Sequence, residues 1–270
     1  MGNRLKNEIE DIITQFDPVG LEEAESVQLF NRVDQKYIFH AAQLEGLLGS
    51  LKSEYDILAV NGYRNQPYRS LYFDTAEHAM YYAHHNGHLN RYKIRFREYR
   101  SSRLVFLEIK FKSNQDRTIK KRQAAQAIAE QFGSPEGNFL ASNTIYAPGV
   151  LLPQVWTNFN RITLIHKNRK ERLTLDTELE WIHRDMRIAL SSLVIIEVKR
   201  QRLTHFPVGR MLQQAGYRPT GISKYSIGSA MLNRALRTNM FKTTLISIKK
   251  ICQDELPSIA SAGIHPDVWY

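Results

Sequence analysis

Cysteine is almost missing. The 270-residue chain has one, Cys252, so no disulfide can form within it and a reducing compartment is expected. Long apolar runs are missing too: nothing reaches the roughly eighteen uninterrupted apolar residues of a membrane-spanning helix. The first ten residues, Met1 to Glu10, are charged from the start and have no apolar centre, so no secretory leader is expected. There is no Walker A loop, no Gly-x-Gly-x-x-Gly and no metal-spaced cysteine set. Ser, His and Asp residues are scattered without a nucleophile elbow, and no solenoid repeat is visible. Acidic residues are the scarcer charge, 27 against 37 basic ones, which leaves a formal charge of +10. That balance asks for an anionic partner: nucleic acid, a membrane surface or a phosphate-rich small molecule.

What the chain does have is alternation. In Asn90–Tyr99, Arg91, Lys93, Arg95, Arg97 and Tyr99 share one face, and Tyr92, Ile94 and Phe96 share the other, which is the period of a strand. Four same-face cations repel one another unless something anionic sits over them. Other stretches repeat the pattern. Val27–Phe39 sets Arg32, Asp34 and Lys36 against Val33, Tyr37 and Phe39. Leu104–Lys112 sets Glu108, Lys110 and Lys112 against Val105, Leu107, Ile109 and Phe111. Asn160–Ile165 opposes Arg161 to Ile162 and Leu164. Arg172–Leu179 sets Arg172, Thr174, Asp176 and Glu178 against Leu173, Leu175 and Leu179. Val194–Lys199 sets Glu197 and Lys199 against Val194, Ile196 and Val198. Tyr68–Asp74 reads as a further strand, with Thr75 as N-cap of a helix through Tyr82.

Helical spacing marks 4–15, Ala41–Ser53 with its stripe Leu44, Leu47, Leu48 and Leu51, Ala124–Phe132, Pro207–Gln214 ending at Gly216, a helix opened by Ser223-Lys224-Tyr225, and a basic stretch over 233–252. Residues 113–122 suit a loop or strand extension. Gly133–Gly149 reads as a linker, and the chain beyond Asp254 as loosely attached. The division expected is an N-terminal helical segment 1–26, a main domain 27–232 and a helical tail 233–270. Glu108-Ile-Lys110 and Glu197-Val-Lys199 echo each other as two related β-halves.

For any single strand, a solvated ionic face is the plainer reading. For the set, two things weigh against it: the ionic faces are rich in Arg and Lys, the phosphate-binding side chains, and several amphipathic helices need an apolar surface to cover. An α+β fold satisfies both, with an antiparallel β-barrel, helices packed around the outside and a wet, basic lumen. A barrel of about eight strands is wide enough inside for side chains plus one slender ligand.

These residues resemble the VTC (vacuolar transporter chaperone) polyphosphate polymerase domain of the triphosphate tunnel superfamily. The matching pieces, in the family's order, are Arg32-Val-Asp-Gln-Lys36-Tyr37, Ser70-Leu-Tyr-Phe-Asp74, Lys93-Ile-Arg95-Phe-Arg97-Glu-Tyr99, Glu108-Ile-Lys110, Phe159-Asn160-Arg161, Arg172-Leu-Thr-Leu-Asp176, Glu197-Val-Lys199 and Ser223-Lys224-Tyr225. The resemblance implies transfer of the γ-phosphoryl of ATP to a growing polyphosphate chain, with Mn²⁺ or Mg²⁺ bound. It carries phosphate binding onto Lys36, Arg95, Arg97, Lys110, Arg161, Arg172, Lys199 and Lys224, and metal binding onto Glu197.

The residues themselves suggest Arg32, Arg91 and Lys93 as further ligand contacts and Glu108 as the second metal candidate. Phosphoryl transfer needs alignment and charge neutralisation more than covalent chemistry, and these side chains supply both. A tunnel triphosphatase and a non-catalytic polyphosphate- or nucleotide-binding module remain as alternatives. The partners expected are ATP and inorganic polyphosphate rather than nucleic acid, whose binding favours exposed stacking platforms. The location expected is cytoplasmic, with a membrane-protein partner or lipid contact through Arg234, Arg237, Lys242, Lys249 and Lys250 as a secondary reading. His84, His85 and His88 read as surface residues near a turn.

Overall fold

The computed structural model describes residues 3–26, 32–115, 117–168, 171–201, 207–253 and 255. The elements run α1 (Asn3–Ile13), β1 (Pro18–Val19), α2 (Leu21–Ser26), β2 (Arg32–His40), α3 (Leu44–Leu51), β3 (Tyr55–Leu58), β4 (Asn65–Asp74), α4 (Ala79–His85), β5 (Arg91–Tyr99), β6 (Leu104–Lys112) and β7 (Thr118–Ala125). They continue with α5 (Ser134–Asn143), β8 (Leu152–His166), β9 (Glu171–His183), β10 (Met186–Leu190), β11 (Leu193–Gln201), α6 (Pro207–Gln214), α7 (Lys224–Leu232) and α8 (Lys242–Ile251). Eight strands form one antiparallel sheet in the order β2-β11-β9-β8-β4-β5-β6-β7; β1, β3 and β10 attach to it at the side.

The two faces of this sheet follow the alternation in the sequence. On the convex face, Tyr37, Val194, Ile196, Leu173 and Leu175 pack under α1, α3 and α6 through Ile9, Leu44, Leu48 and Val208. Leu71, Ile94, Phe96 and Leu107 pack under Met80 of α4 and Leu140 of α5. The α3 stripe works because residues three and four apart share a helix face, and all four of its leucines are buried.

The expected closed barrel is not formed: among the described residues no ladder joins the outer strands β2 and β7. Both edges nevertheless line one cavity, with Lys36 on β2 and Lys120 and Arg122 on β7. Cations on both sides of the seam oppose its zipping. The helix expected over Ala124–Phe132 is absent, because Ala124 and Ala125 pair with Phe106 and Val105 and extend β7. Sheet pairing overrides the alanine-rich helix propensity. The expected linker instead holds α5, with Pro135 in its first turn and Leu140 buried. The helix after β4 starts at Ala79, not at Thr75. Its first turn is served from upstream, where the Asp74 carboxylate accepts the Met80 and Tyr81 N–H groups, each at 2.8 Å. The strand expected from Val27 is described from Arg32 onward, and the expected tail beyond Asp254 lies outside the described residues apart from Glu255.

One irregularity reshapes the inside. Asn158 pairs with Glu180 and Asn160 with Thr177, so two residues of β9 oppose Phe159, and Glu178 takes a positive φ of 51°. Such a bulge shifts the alternation by one. Leu179, expected beside Leu173 and Leu175, therefore turns to the concave side with Trp181. There they meet α7, which is buried on every side from Tyr225 to Leu232. Gly228 lets it fit, since a Cβ there would stand 2.1 Å from Trp181 Cδ1. The concave face is thus apolar and plugged by α7 at one end and ionic at the other.

Candidate functional site: a cationic cavity

The ionic end encloses a cavity of about 570 Å³. Twelve lysine and arginine side chains line it, against the four carboxylates Asp34, Glu108, Asp176 and Glu197. Strand register builds the rows. Arg95 lies opposite Glu108 and Lys93 opposite Lys110; Glu108 faces Arg122 and Lys110 faces Lys120. Across the sheet, Lys36 faces Glu197, Lys199 faces Arg172 and Arg161 faces Asp176.

All eight cations carried over from the family resemblance line this cavity: Lys36, Arg95, Arg97, Lys110, Arg161, Arg172, Lys199 and Lys224. Lys36 donates to Ile222 O at 2.9 Å and Lys199 to Glu197 at 2.8 Å. Arg95 gives Nε and Nη2 to Glu108 Oε2, at 2.8 and 2.6 Å, and Nη1 to the Tyr72 hydroxyl at 2.7 Å. Arg161 is bidentate on Asp176, at 2.6 and 2.8 Å, and Lys224 donates to the same carboxylate. Arg172 donates to Ala24 O of α2. Among the described residues Lys110 has no hydrogen bond or ion pair.

Of the further ligand contacts, Lys93 belongs to the wall: it lines the cavity and donates to Ser223 Oγ at 2.8 Å. Arg91 does not line it, and its Nη1 donates to His88 O at 2.5 Å. Arg32 opens β2, and its side chain lies outside the described residues. Of the three histidines, His88 is exposed beside a turn as expected, and the other two are not surface residues. His85 is buried in the last turn of α4, and His84 is hydrogen-bonded to Ser226 Oγ at 2.5 Å.

The electrostatics reflect crowding of like charges. Burial, then Lys36, Lys110 and Arg91, push Lys93 well below the ordinary lysine range. Burial, Lys36 and Lys120 lower Lys110 to about 8. Burial outweighs the Asp176 contact and lowers Lys224 to about 8 as well. The carboxylates go the other way. Burial would raise Glu108, but Arg95 and Arg97 pull it down to about 2. Burial would likewise raise Glu197, and Lys199 and Lys36 hold it well below the usual range. An anion bound among Lys93, Lys110 and Lys224 would favour their charged forms again.

The VTC domain family matches residues 31–233. The chain belongs to this family. No curated protein matches the chain. Among solved structures, a candidate adenylyl cyclase from Hippeastrum with a dominant triphosphatase activity is 15% identical, covers 73% of this chain and 94% of that one, and has a TM-score of 0.47. A candidate adenylate cyclase from Bacillus halodurans is 13% identical, with coverages of 72% and 96% and a TM-score of 0.44. One from Vibrio parahaemolyticus is 12% identical, with coverages of 74% and 98% and a TM-score of 0.43.

In this VTC domain, no cluster of three or more His, Cys, Asp or Glu side chains could hold a metal among the described residues. Glu197 and Glu108, the expected ligands, each face a cation instead. One carboxylate such as Glu197 still fits an ion that keeps water and takes most of its ligands from phosphate oxygens. Sequence reasoning assigned no role to Tyr72 or Ser223, or to Lys120 and Arg122, which sat in a stretch that suited a loop or a strand extension. The alternation of Thr118–Ala125 could have placed Lys120 and Arg122; nothing local could have placed Ser223 at Lys93.

No helix in the described residues is long and apolar enough to cross a membrane.

Proposed function

We propose that this VTC domain is a polyphosphate polymerase that transfers the γ-phosphoryl group of ATP to the end of an inorganic polyphosphate chain. The observation that carries the reading is the cavity with twelve cations against four carboxylates. A purely structural role leaves that excess uncompensated at reduced dielectric. A chain of phosphates fills it with charge-assisted hydrogen bonds.

In the reaction the bond between the bridging oxygen and Pγ breaks, the bond from a terminal oxygen of the acceptor chain to Pγ forms, and ADP leaves. Arg95 and Arg97, two residues apart on β5, hold successive phosphates. Arg161 and Arg172 approach from the opposite side of the cavity. Lys110, with no partner of its own among the described residues, is placed to gain charge as phosphate arrives. An already ionised acceptor needs no general base. Glu197 is the side chain that would hold Mn²⁺ or Mg²⁺, an ion that offsets charge on the bridging oxygens when bound.

Transfer is favoured over hydrolysis by the state of the carboxylates. Glu108 is engaged by Arg95, Asp176 by Arg161 and Lys224, and Glu197 by Lys199. Pairing with cations makes each of these three a weaker base toward a water. The test is incubation with ATP and Mn²⁺, followed by detection of ADP and long-chain polyphosphate. Orthophosphate without polymer would make the domain a triphosphatase. Tight tripolyphosphate binding with no product would make it a binding module.

A further inference from the structure

We propose that Tyr68 and Phe159 form an aromatic deck that positions Arg97, Arg161 and Lys224 for phosphate, which makes both rings positioning residues of the cavity. The inference rests on the polyphosphate reading above. Tyr68 on β4 and Phe159 on β8 are direct partners in the sheet register. Their rings are stacked, with centroids 5.2 Å apart and planes 5° from parallel. Three cations gather over this pair. The Arg97 guanidinium carbon is 5.2 Å from the Tyr68 centroid and 5.8 Å from that of Phe159. Arg161 is 5.4 and 5.3 Å from the same two, and Lys224 Nζ is 4.2 Å from Phe159.

Arg97 shows why the rings matter. It is buried, at 7% exposure, yet among the described residues it makes no ion pair, and its side chain has one hydrogen bond, from Nε to Ser70 Oγ at 3.2 Å. Arg161 and Lys224 share Asp176; Arg97 has no carboxylate to itself. Its charge does act on Glu108, but Arg95 already occupies that carboxylate. The negative ring faces are what lies beneath Arg97, and a desolvated cation–π contact is among the stronger ones. The deck offsets the Arg97 charge without an ion pair, on a side chain that lines the cavity. It also lets three like charges converge on one place, which a phosphate then neutralises.

The test uses the full chain and two readouts. Tripolyphosphate affinity is measured by titration calorimetry, and the side-chain Nε–Hε signals of Arg97 and Arg161 are followed by NMR, where ring currents displace protons over an aromatic face. Phe159→Leu is expected to weaken tripolyphosphate binding about tenfold and to move both arginine signals, with native secondary structure retained. Phe159→Tyr, which keeps the ring, is expected to recover both. If Phe159→Leu does not fold, Tyr68→Leu, at a half-buried position, carries the same expectation and Tyr68→Phe the same recovery. A folded leucine variant that binds as tightly as the parent, or leaves the arginine signals in place, overturns the deck. Failure of the unmodified protein to bind tripolyphosphate overturns the functional proposal, while the arginine signals still decide whether the rings hold the guanidinium groups.

Discussion

Asp176 is the perturbation with the clearest consequence. It is 2% exposed and accepts Arg161 Nε and Nη2 at 2.6 and 2.8 Å as well as the Lys224 ammonium. Asp176→Asn keeps the shape and removes the charge. Two buried cations then lose their counter-ion, and the new amide N–H₂ meets donors. Breaking a buried pair from one side costs about 3–5 kcal/mol. With an unfolding entropy of about 2.1 cal/mol/K per residue over 270 residues, that lowers the melting temperature by about 5–9 °C. Tripolyphosphate should narrow the gap, because the variant's cavity has one more uncompensated cation and binds the anion more tightly. At a hundred times Kd a ligand adds about 2.7 kcal/mol to the parent, and it adds more to the variant.

Acid supplies an independent check on Asp176. Burial would raise its pKa, but Arg161 and Lys224 hold it well below the usual carboxylate range. A depressed carboxylate stabilises the fold above its unfolded pKa, and this stability is lost as the pH falls through the folded one. Parent and variant should therefore converge in acid. The assay is thermal melting with and without tripolyphosphate across pH. Equal melting near neutrality, or a gap that the ligand leaves untouched, would refute the account of Asp176 as the counter-ion of this corner.

Three further outcomes are expected. Lys110 and Lys224 sit at about 8 in the fold against about 10.4 for a free lysine, so the unfolded chain holds more protons between those values. The ligand-free protein should gain stability as the pH rises through this window while tripolyphosphate binding weakens. Urea midpoints and Kd at about pH 7.5 and about pH 9.5 check this, and binding that tightens with pH would sink it. Gly228→Ala places a methyl 2.1 Å from Trp181 Cδ1 and 2.6 Å from its Nε1, against a ring whose N–H donates to Lys224 O at 2.9 Å. The cost should be about 1–3 kcal/mol or more, read as a lower melting temperature; an unchanged melt contradicts the tight α7 packing. Arg95→Ala removes a phosphate donor and should lower turnover by about 100-fold or more with circular dichroism unchanged, whereas full activity would remove Arg95 from the site.

Much of this molecule follows from the period of its side chains. Alternation in Arg91–Tyr99, Leu104–Lys112 and Leu193–Gln201 determined which face met the helices and which carried the charge, since successive residues of a strand must point to opposite sides. The stripe of α3 determined a packed helix for the same kind of reason. Other features depended on partners far along the chain. Residues 124 and 125 joined a strand because β6 offered hydrogen bonds, and the register of β6 with β7 brought Lys120 and Arg122 into the cavity.

The bulge at Glu178 turned Leu179 inward, against its local pattern, and so made room for α7. The long-range approach of α7 set Ser223 on Lys93 and Lys224 on Asp176. The sequence by itself thus determined the two faces of the sheet and the excess of cations on one of them. Only the tertiary structure decided that the seam stays open, that Asp176 serves two cations, and that Arg97 rests on two rings. Each of these depends on strand order and register, which a period of two cannot encode.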